Sequence, residues 1–443
     1  MKKFIYSLLL LVLSMAMLIS CEESVGDNTD GSAQLTDPVP ALPVETPEEQ
    51  KIVLEQTALA FIEEVAAENF EEVANLLEYM LKEYSDDNYN YDEVEDWSEG
   101  CYNALIRVFE KTEIQKGSND LSYKSIDIID YYSVVCAASN YTGKFEAKNG
   151  QWKYTDANDL SFHVKDAQGK PCVLRLTTGG KTKNVYVESY WYYVGGSYEN
   201  GVESNYYNVD KCYLQVPEVI TVTLQHDGDD IAKVMMKADL SLMQGTEIDL
   251  RKDKYNLMTT VEFNNYSIID NIKYAPEKGT SVTRNFKKGN KSLFSVKASA
   301  DLDVSNENFY GSEKNNVEID VMGCVQFKGN MAGDIVEAYE ELEKVFDAEN
   351  EAQLMGQLDK VNSLMDLSLY YYKSPIASAK FELRAFKNEP NDGYWHLEPV
   401  IVFEDETSYS IDTYFNEDDF KKVIRGIERL GEDYSDLLDK IAD

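Results

Sequence analysis

Between Asp86 and Asp92 the chain reads Asp-Asp-Asn-Tyr-Asn-Tyr-Asp, with oxygen-bearing side chains at Asp86, Asn88, Asn90 and Asp92. Alternating carboxylate and amide oxygens in a short loop suit Ca2+, a hard cation that gathers about six to eight oxygens. Tyr91 stands where the turn of an EF-hand loop needs glycine, and Trp97 where a bidentate glutamate belongs, so the segment is not an EF-hand. A looser calcium site and a solvated acidic turn both fit. Calcium is the one cofactor the residues suggest.

A second group is aromatic: Tyr190, Trp191, Tyr192, Tyr193, Tyr198, Tyr206 and Tyr207, flanked by Tyr186 and Tyr213. Exposed aromatic faces stack on sugar rings, which makes these residues candidates for glycan binding. Tyrosine is also a good strand former. Alternation sends Tyr190 and Tyr192 to the face opposite Trp191 and Tyr193, so about half of the group belongs to a core. Met235, Met236, Met243, Met258 and Met322 form a third group, suited to lining a cavity for an apolar ligand or to filling a core.

Nothing in the chain spells out a catalyst. His163, His226 and His396 are far apart, and no His-Glu-x-x-His, Gly-x-Ser-x-Gly or phosphate-cradling glycine loop occurs. Gly195-Gly196-Ser197 lacks the second glycine of a nucleophile elbow. With 80 acidic side chains, some pair must stand at glycosidase separation, so its existence carries no information. Cys101, Cys136, Cys172, Cys212 and Cys324 are widely spaced with no Cys-x-x-Cys, which argues against a zinc knuckle or a thiol redox site. Cys101 and Cys324 are expected to pack as small hydrophobes. The expectation is a protein that is not an enzyme.

The elements that would position these groups follow from periodicity. Thr46-Pro47-Glu48-Glu49 has the form of a capping box with proline at the first helical position. A helical stripe then runs through Ile62, Val65, Val73, Leu76, Leu77, Met80 and Tyr84, with a slip near Asn69. Trp97, Cys101, Leu105 and Val108 predict a second helix, antiparallel to the first. From about Leu121 to Met331 the period becomes two. Lys148-Asn149-Gly150-Gln151 signals a hairpin, and strands are expected at 161–165, 172–177, 185–194, 220–224, 234–242, 259–263 and 317–327, antiparallel because their connections are short. The strings 238–242 with 247–250 and 300–304 with 318–321 are faintly alike, as a duplicated hairpin would be. Helix returns at Asp334 and continues with interruption through Leu364. Strands at 379–386 and 394–403 follow, then a helix from near Asn416 that buries Phe420, Val423, Ile424, Ile427, Leu437 and Ile441.

The fold class expected is α+β: an N-terminal helical pair, a large antiparallel and curved sheet region, and a C-terminal helix, strands and helix. The segments are 1–20, 21–45, 46–116, 117–332 and 333–443, and 46–443 can be one domain or two. Residues 21–45 are rich in Gly, Ser, Asp, Thr and Pro and read as a disordered tether.

Lys2 and Lys3 precede an apolar run from Phe4 to Ile19, and Leu18-Ile19-Ser20-Cys21 closes it. Residues 1–20 have the form of an export signal peptide. The closing tetrad resembles the lipobox of bacterial lipoproteins, which implies cleavage before Cys21, acylation of its thiol (palmitate-type chains) and retention at the cell envelope. Glu22 and Glu23, with Asp27 and Asp30 beyond, resemble the acidic surface-export signal of Bacteroidota outer-membrane lipoproteins. That likeness implies an outer-membrane lipid anchor with the body facing outward or the periplasm.

Losing Lys2 and Lys3 takes the formal charge from −38 to −40. Such a chain repels phosphate, so no nucleic-acid partner is expected. The partners expected are the membrane, through the anchor, and a glycan or another envelope protein. The functional expectation is a lipid-anchored envelope lipoprotein that acts as a non-catalytic binding or interaction module. A surface glycan-binding protein and a carrier of lipid or other apolar ligand are the alternatives.

Overall fold

The structure, a computed structural model of the chain, describes residues 46–84, 125–127, 135–199, 202–240, 247–249, 254–276, 278–301, 314–332, 335–347, 351–385, 395–415 and 420–442. It mixes helices with eighteen strands, sixteen of them in one mostly antiparallel sheet, which does not close into a barrel among the described residues. The described residues fall into two units, 75–264 in one and 46–74 with 265–442 in the other.

The first helix, α1 (Pro47–Glu64), begins as its sequence dictates. Thr46 Oγ1 accepts from the Glu49 amide at 3.3 Å, and the Thr46 amide donates to Glu49 Oε2 at 3.1 Å, so two orphan donors are satisfied reciprocally. The slip near Asn69 is a real break. After α1 comes a 3-10 turn at Ala67–Asn69, where Asn69 Nδ2 donates to the Ala66 carbonyl, and only then α2 (Glu71–Glu83). The expected partner helix at 97–108 and the 86–92 connection lie outside the described residues.

In the unit 75–264, β1 (Ser125–Asp127) is followed by the short α3 (Val135–Ala138), then β2 (Gly143–Lys148), β3 (Gln151–Thr155), β4 (Leu160–Lys165), β5 (Pro171–Glu199), β6 (Val202–His226), β7 (Asp229–Ala238), β8 (Glu247–Asp249) and β9 (Tyr255–Phe263). The main ladder runs β9-β7-β6-β5-β4-β2-β3, while β1 pairs with β8. Asn149 and Gly150 adopt φ of 54° and 73°, the tight primed turn that joins β2 to β3. One pairing departs from the antiparallel expectation: β4 lies parallel to β2. The cause is that β3 hairpins to one side of β2 and the chain returns on the other, running again in β2's direction. Phe145, Phe162, Leu174 and Leu224 are successive backbone partners across β2, β4, β5 and β6, each no more than 2% exposed. Met236 is buried as ordinary core. The predicted strand 234–242 ends early, at Ala238.

In the other unit the strands form a meander: β10 (Tyr266–Ala275), β11 (Gly279–Lys288), β12 (Lys291–Ala300), β13 (Lys314–Val321), β14 (Val325–Ala332), β15 (Met365–Tyr371), β16 (Ser374–Ala385), β17 (Trp395–Phe403) and β18 (Ser408–Ser410), each antiparallel to the next. The helices α4 (Ile335–Asp347) and α5 (Glu351–Ser363) interrupt it between β14 and β15, and α6 (Ile411–Tyr414) and α7 (Lys421–Ala442) close the chain. The single strand expected at 317–327 is in fact two. Met322 and Gly323 turn between β13 and β14 with φ of 58° and 71°, braced by Asp320 Oδ1 accepting from the Gly323 amide at 2.7 Å. A methionine in a left-handed turn carries no ordinary turn signal, and Tyr372-Lys373 conceals the β15–β16 turn in the same way, so β15 was not expected. Ile427, expected inside, is 57% exposed.

One face of this meander is apolar. Leu369, Ala377, Ile401 and Phe403 pack with Tyr414 of α6 and Leu54 of α1, while Met365, Phe381, Leu383 and Leu397 pack against Leu342, Leu354, Leu358 and Val361 of α4 and α5. Burial pushes the Tyr414 hydroxyl pKa far up, and it donates to the Pro47 carbonyl at 3.3 Å.

The C-terminal end of α1 is held by charge. Glu64 accepts from Lys288 Nζ at 2.9 Å and Lys291 Nζ at 2.7 Å, and its carbonyl accepts from the Tyr266 hydroxyl at 2.6 Å. The two lysine hydrogen bonds hold the Glu64 carboxyl below its ordinary value. A lowered carboxyl pKa contributes stability that is complete above the unfolded value of about 4.3 and is lost as pH falls through the folded one. After discounting for solvent screening, Glu64→Gln is expected to cost about 1 kcal/mol at neutral pH. Its urea midpoint falls less than that of wild type between neutral pH and pH 3; parallel slopes would show that the pair contributes nothing.

Candidate functional site

Strand alternation that turns Met365 and Leu369 toward the helices turns their neighbours to the opposite face. The ladder register then gathers those neighbours into rows. Lys297 of β12 is the partner of Glu318 of β13, Glu318 of Lys328 on β14, and Lys328 of Ser368 on β15. One pair along, Ser299, Asn316, Asn330 and Asp366 line up in the same order. These two rows and Tyr370, with Ala298, Val317 and Gly329 between the rows, line a groove of about 400 Å3.

The carboxylate of Glu318 sits between two ammonium groups, 3.6 Å from Lys297 Nζ and 3.9 Å from Lys328 Nζ. Both are loose ion pairs rather than hydrogen bonds, so each ammonium keeps donors for another acceptor. Lys328 Nζ also lies 5.1 Å from the centre of the Tyr370 ring, within cation–π range. Asn316 Nδ2 donates to Ser299 Oγ at 2.9 Å. Among the described residues no hydrogen bond engages the side chains of Asn330, Asp366 or Ser368. Two lysines and two carboxylates make the groove formally neutral within a chain of net charge −38.

A second polar cluster lies in the other unit. Asp166 Oδ2 meets His226 Nε2 at 2.9 Å, while Oδ1 accepts from the Gln168 and Lys170 amides at 2.9 and 2.8 Å. Burial works to raise the Asp166 pKa, but the His226 bond and the two amides outweigh it and hold the carboxyl below its usual range. Cys172 is the backbone partner of His226, which brings thiol, imidazole and carboxylate into one region. The chemistry does not follow from the proximity. Burial pushes the Cys172 thiol up to about 11, and its Sγ faces the Lys170 carbonyl at 3.8 Å. A protonated, fully buried thiol is no nucleophile, and the cluster serves to brace the β4–β5 turn. His163 is half-buried with Nε2 3.2 Å from Ser161 Oγ, and burial, then the nearby Lys144 and Arg175, lower its pKa.

The residues singled out from sequence fare differently. Cys21 and the loop residues Asp86, Asn88, Asn90 and Asp92 lie outside the described residues. The aromatic group falls on the β5–β6 ladder, where Tyr190 pairs with Asp210, Trp191 with Val209, Tyr192 with Asn208, Tyr193 with Tyr207, Gly195 with Tyr206 and Tyr198 with Glu203. That is a backbone register, and the side chains of these residues lie outside the description. The groove residues were missed altogether. Their signal was present as the polar half of alternating strands, but only the register places them side by side. Cys136, Cys172 and Cys324 are buried, and no group of three or more metal-ligating side chains occurs among the described residues. No helix among them is long and apolar enough to cross a membrane. No protein-family model, curated protein or solved structure matches the chain.

Proposed function

We propose that this chain is a lipid-anchored cell-envelope protein whose folded body is a non-catalytic binding or interaction module, held at the outer membrane through Cys21. The observation that supports it best is the groove on the β12–β15 face, which presents hydrogen-bonding capacity that the fold does not use. A groove of about 400 Å3 falls in the usual span of ligand sites, about 300–1,000 Å3. The anchor rests on the residues from Lys2 to Glu23, and acylation at more than one position would make attachment lasting, because each buried methylene contributes about 0.8 kcal/mol.

Two measurements test the proposal. In a detergent phase-separation assay the wild-type chain is expected in the detergent phase and Cys21→Ala in the aqueous phase; a Cys21→Ala chain that still partitions with membranes removes the anchor. The full chain, titrated with neutral and charged oligosaccharides, peptides and fatty acids, is expected to bind one class saturably. Failure with every class removes the binding-module reading.

A further inference from the structure

We infer that the groove bounded by Lys297, Glu318, Lys328, Asp366 and Tyr370 is a site for a neutral, polyhydroxylated ligand, a short uncharged oligosaccharide. This names the ligand class for the module proposed above and rests on that reading. The argument begins with what alternates across the groove. Adjacent strands lie about 4.8 Å apart, so Lys297, Glu318 and Lys328 set donor, acceptor and donor at successive steps along one row. Asn316, Asn330 and Asp366 repeat a mixed order on the next row.

A hydroxyl group donates and accepts at one oxygen, so a single hydroxyl can satisfy an ammonium and a carboxylate that stand side by side. A ring bearing several hydroxyls can do this along both rows. A phosphate or carboxylate ligand could meet the two ammonium groups but has no proton to donate to Glu318 and Asp366, and the net charge of −38 opposes its approach. A peptide strand is disfavoured for a different reason: β12 to β15 are interior strands with both edges already paired, so there is no free backbone edge for strand addition. Tyr370 supplies the remaining element, an aromatic ring at the wall of a polar groove; Lys328 Nζ lies over one face, 5.1 Å from the ring centre, so the C–H side of a pyranose would stack on the other. Asn330 and Asp366 are exposed, and they and Ser368 make no hydrogen bond among the described residues, so a ligand can take up their bonds in exchange for water.

The test uses the full chain in mild detergent and isothermal titration with neutral gluco-, manno- and xylo-oligosaccharides, oligogalacturonate as the acidic counterpart, and an unrelated peptide. At least one neutral oligosaccharide is expected to bind saturably. Glu318→Gln and Asp366→Asn keep side-chain shape and are expected to weaken that binding about tenfold or more, since each removes a charged acceptor. Lys233→Ala, on the other unit, is expected to leave it unchanged. Unaltered circular dichroism and urea midpoints of the groove variants establish that they fold. Neutral-sugar binding that ignores both groove substitutions overturns the site. Saturable binding of only oligogalacturonate or the peptide overturns the ligand class while leaving the module reading standing, and no binding by any probe overturns both.

Discussion

Phe162→Ala should reduce stability by about 3–5 kcal/mol, the range for removing a buried aromatic ring. Phe162 is 2% exposed and stacks on Phe145 at a centroid distance of 5.1 Å, with Trp152 meeting it edge-on at 6.1 Å. It is also the backbone partner of Phe145 across the parallel β2–β4 step and of Leu174 across the antiparallel β4–β5 step. The surrounding side chains are carried on paired strands and cannot collapse into the space without shifting the register. Phe162→Leu, which restores much of the volume, should recover more than half of the loss. Urea unfolding followed by far-UV circular dichroism reads both variants, and a midpoint for Phe162→Ala equal to wild type at unchanged slope would show that this row is not the core of its unit.

Gly279→Ala should cost about 2–4 kcal/mol, and Gly150→Ala about 1 kcal/mol, although both glycines have φ of +73°. The left-handed backbone is therefore common to the two sites. The difference lies in what a new Cβ would meet. At Gly150 there is nothing within 4 Å, whereas at Gly279 it would clash with the Ala300 carbonyl oxygen and stand 2.7 Å from Asp301 Cα. Both obstacles are backbone, and Ala300 is paired with Thr280 on one side and Asn315 on the other, so neither can retreat without breaking a ladder. Comparison of urea midpoints for the two variants isolates the steric part. Equal losses would mean that strand β12 yields at its end, contrary to the pairing seen.

How much of this was readable in advance differs from residue to residue. The capping box at Thr46 and the Asn149-Gly150 hairpin were legible because each is decided within four residues, by a side chain reaching its own backbone or by a φ that few residues tolerate. The turns at Met322-Gly323 and Tyr372-Lys373 were not legible. Their left-handed residues are held by the paired strands on either side and by a link between the turns, the Tyr372 amide donating to the Cys324 carbonyl at 2.8 Å. Ile427 fits the apolar stripe of α7 and yet faces water, because periodicity gives a face and not what covers it.

By itself the sequence determined the α+β class, the capped start of the first helix at Thr46, the acidic charge and the expectation of an anchor at Cys21, all of which depend on composition or on neighbours along the chain. Only the tertiary structure decided which polar residues share a site. Lys297 and Asp366 are 69 positions apart in sequence, and two helices intervene between β14 and β15. Backbone hydrogen bonding fixes the register across four strands, and since a slip of one residue would exchange the polar and apolar faces, packing of Met365 and Leu369 against the helices is what turns Asp366, Ser368 and Tyr370 into the groove.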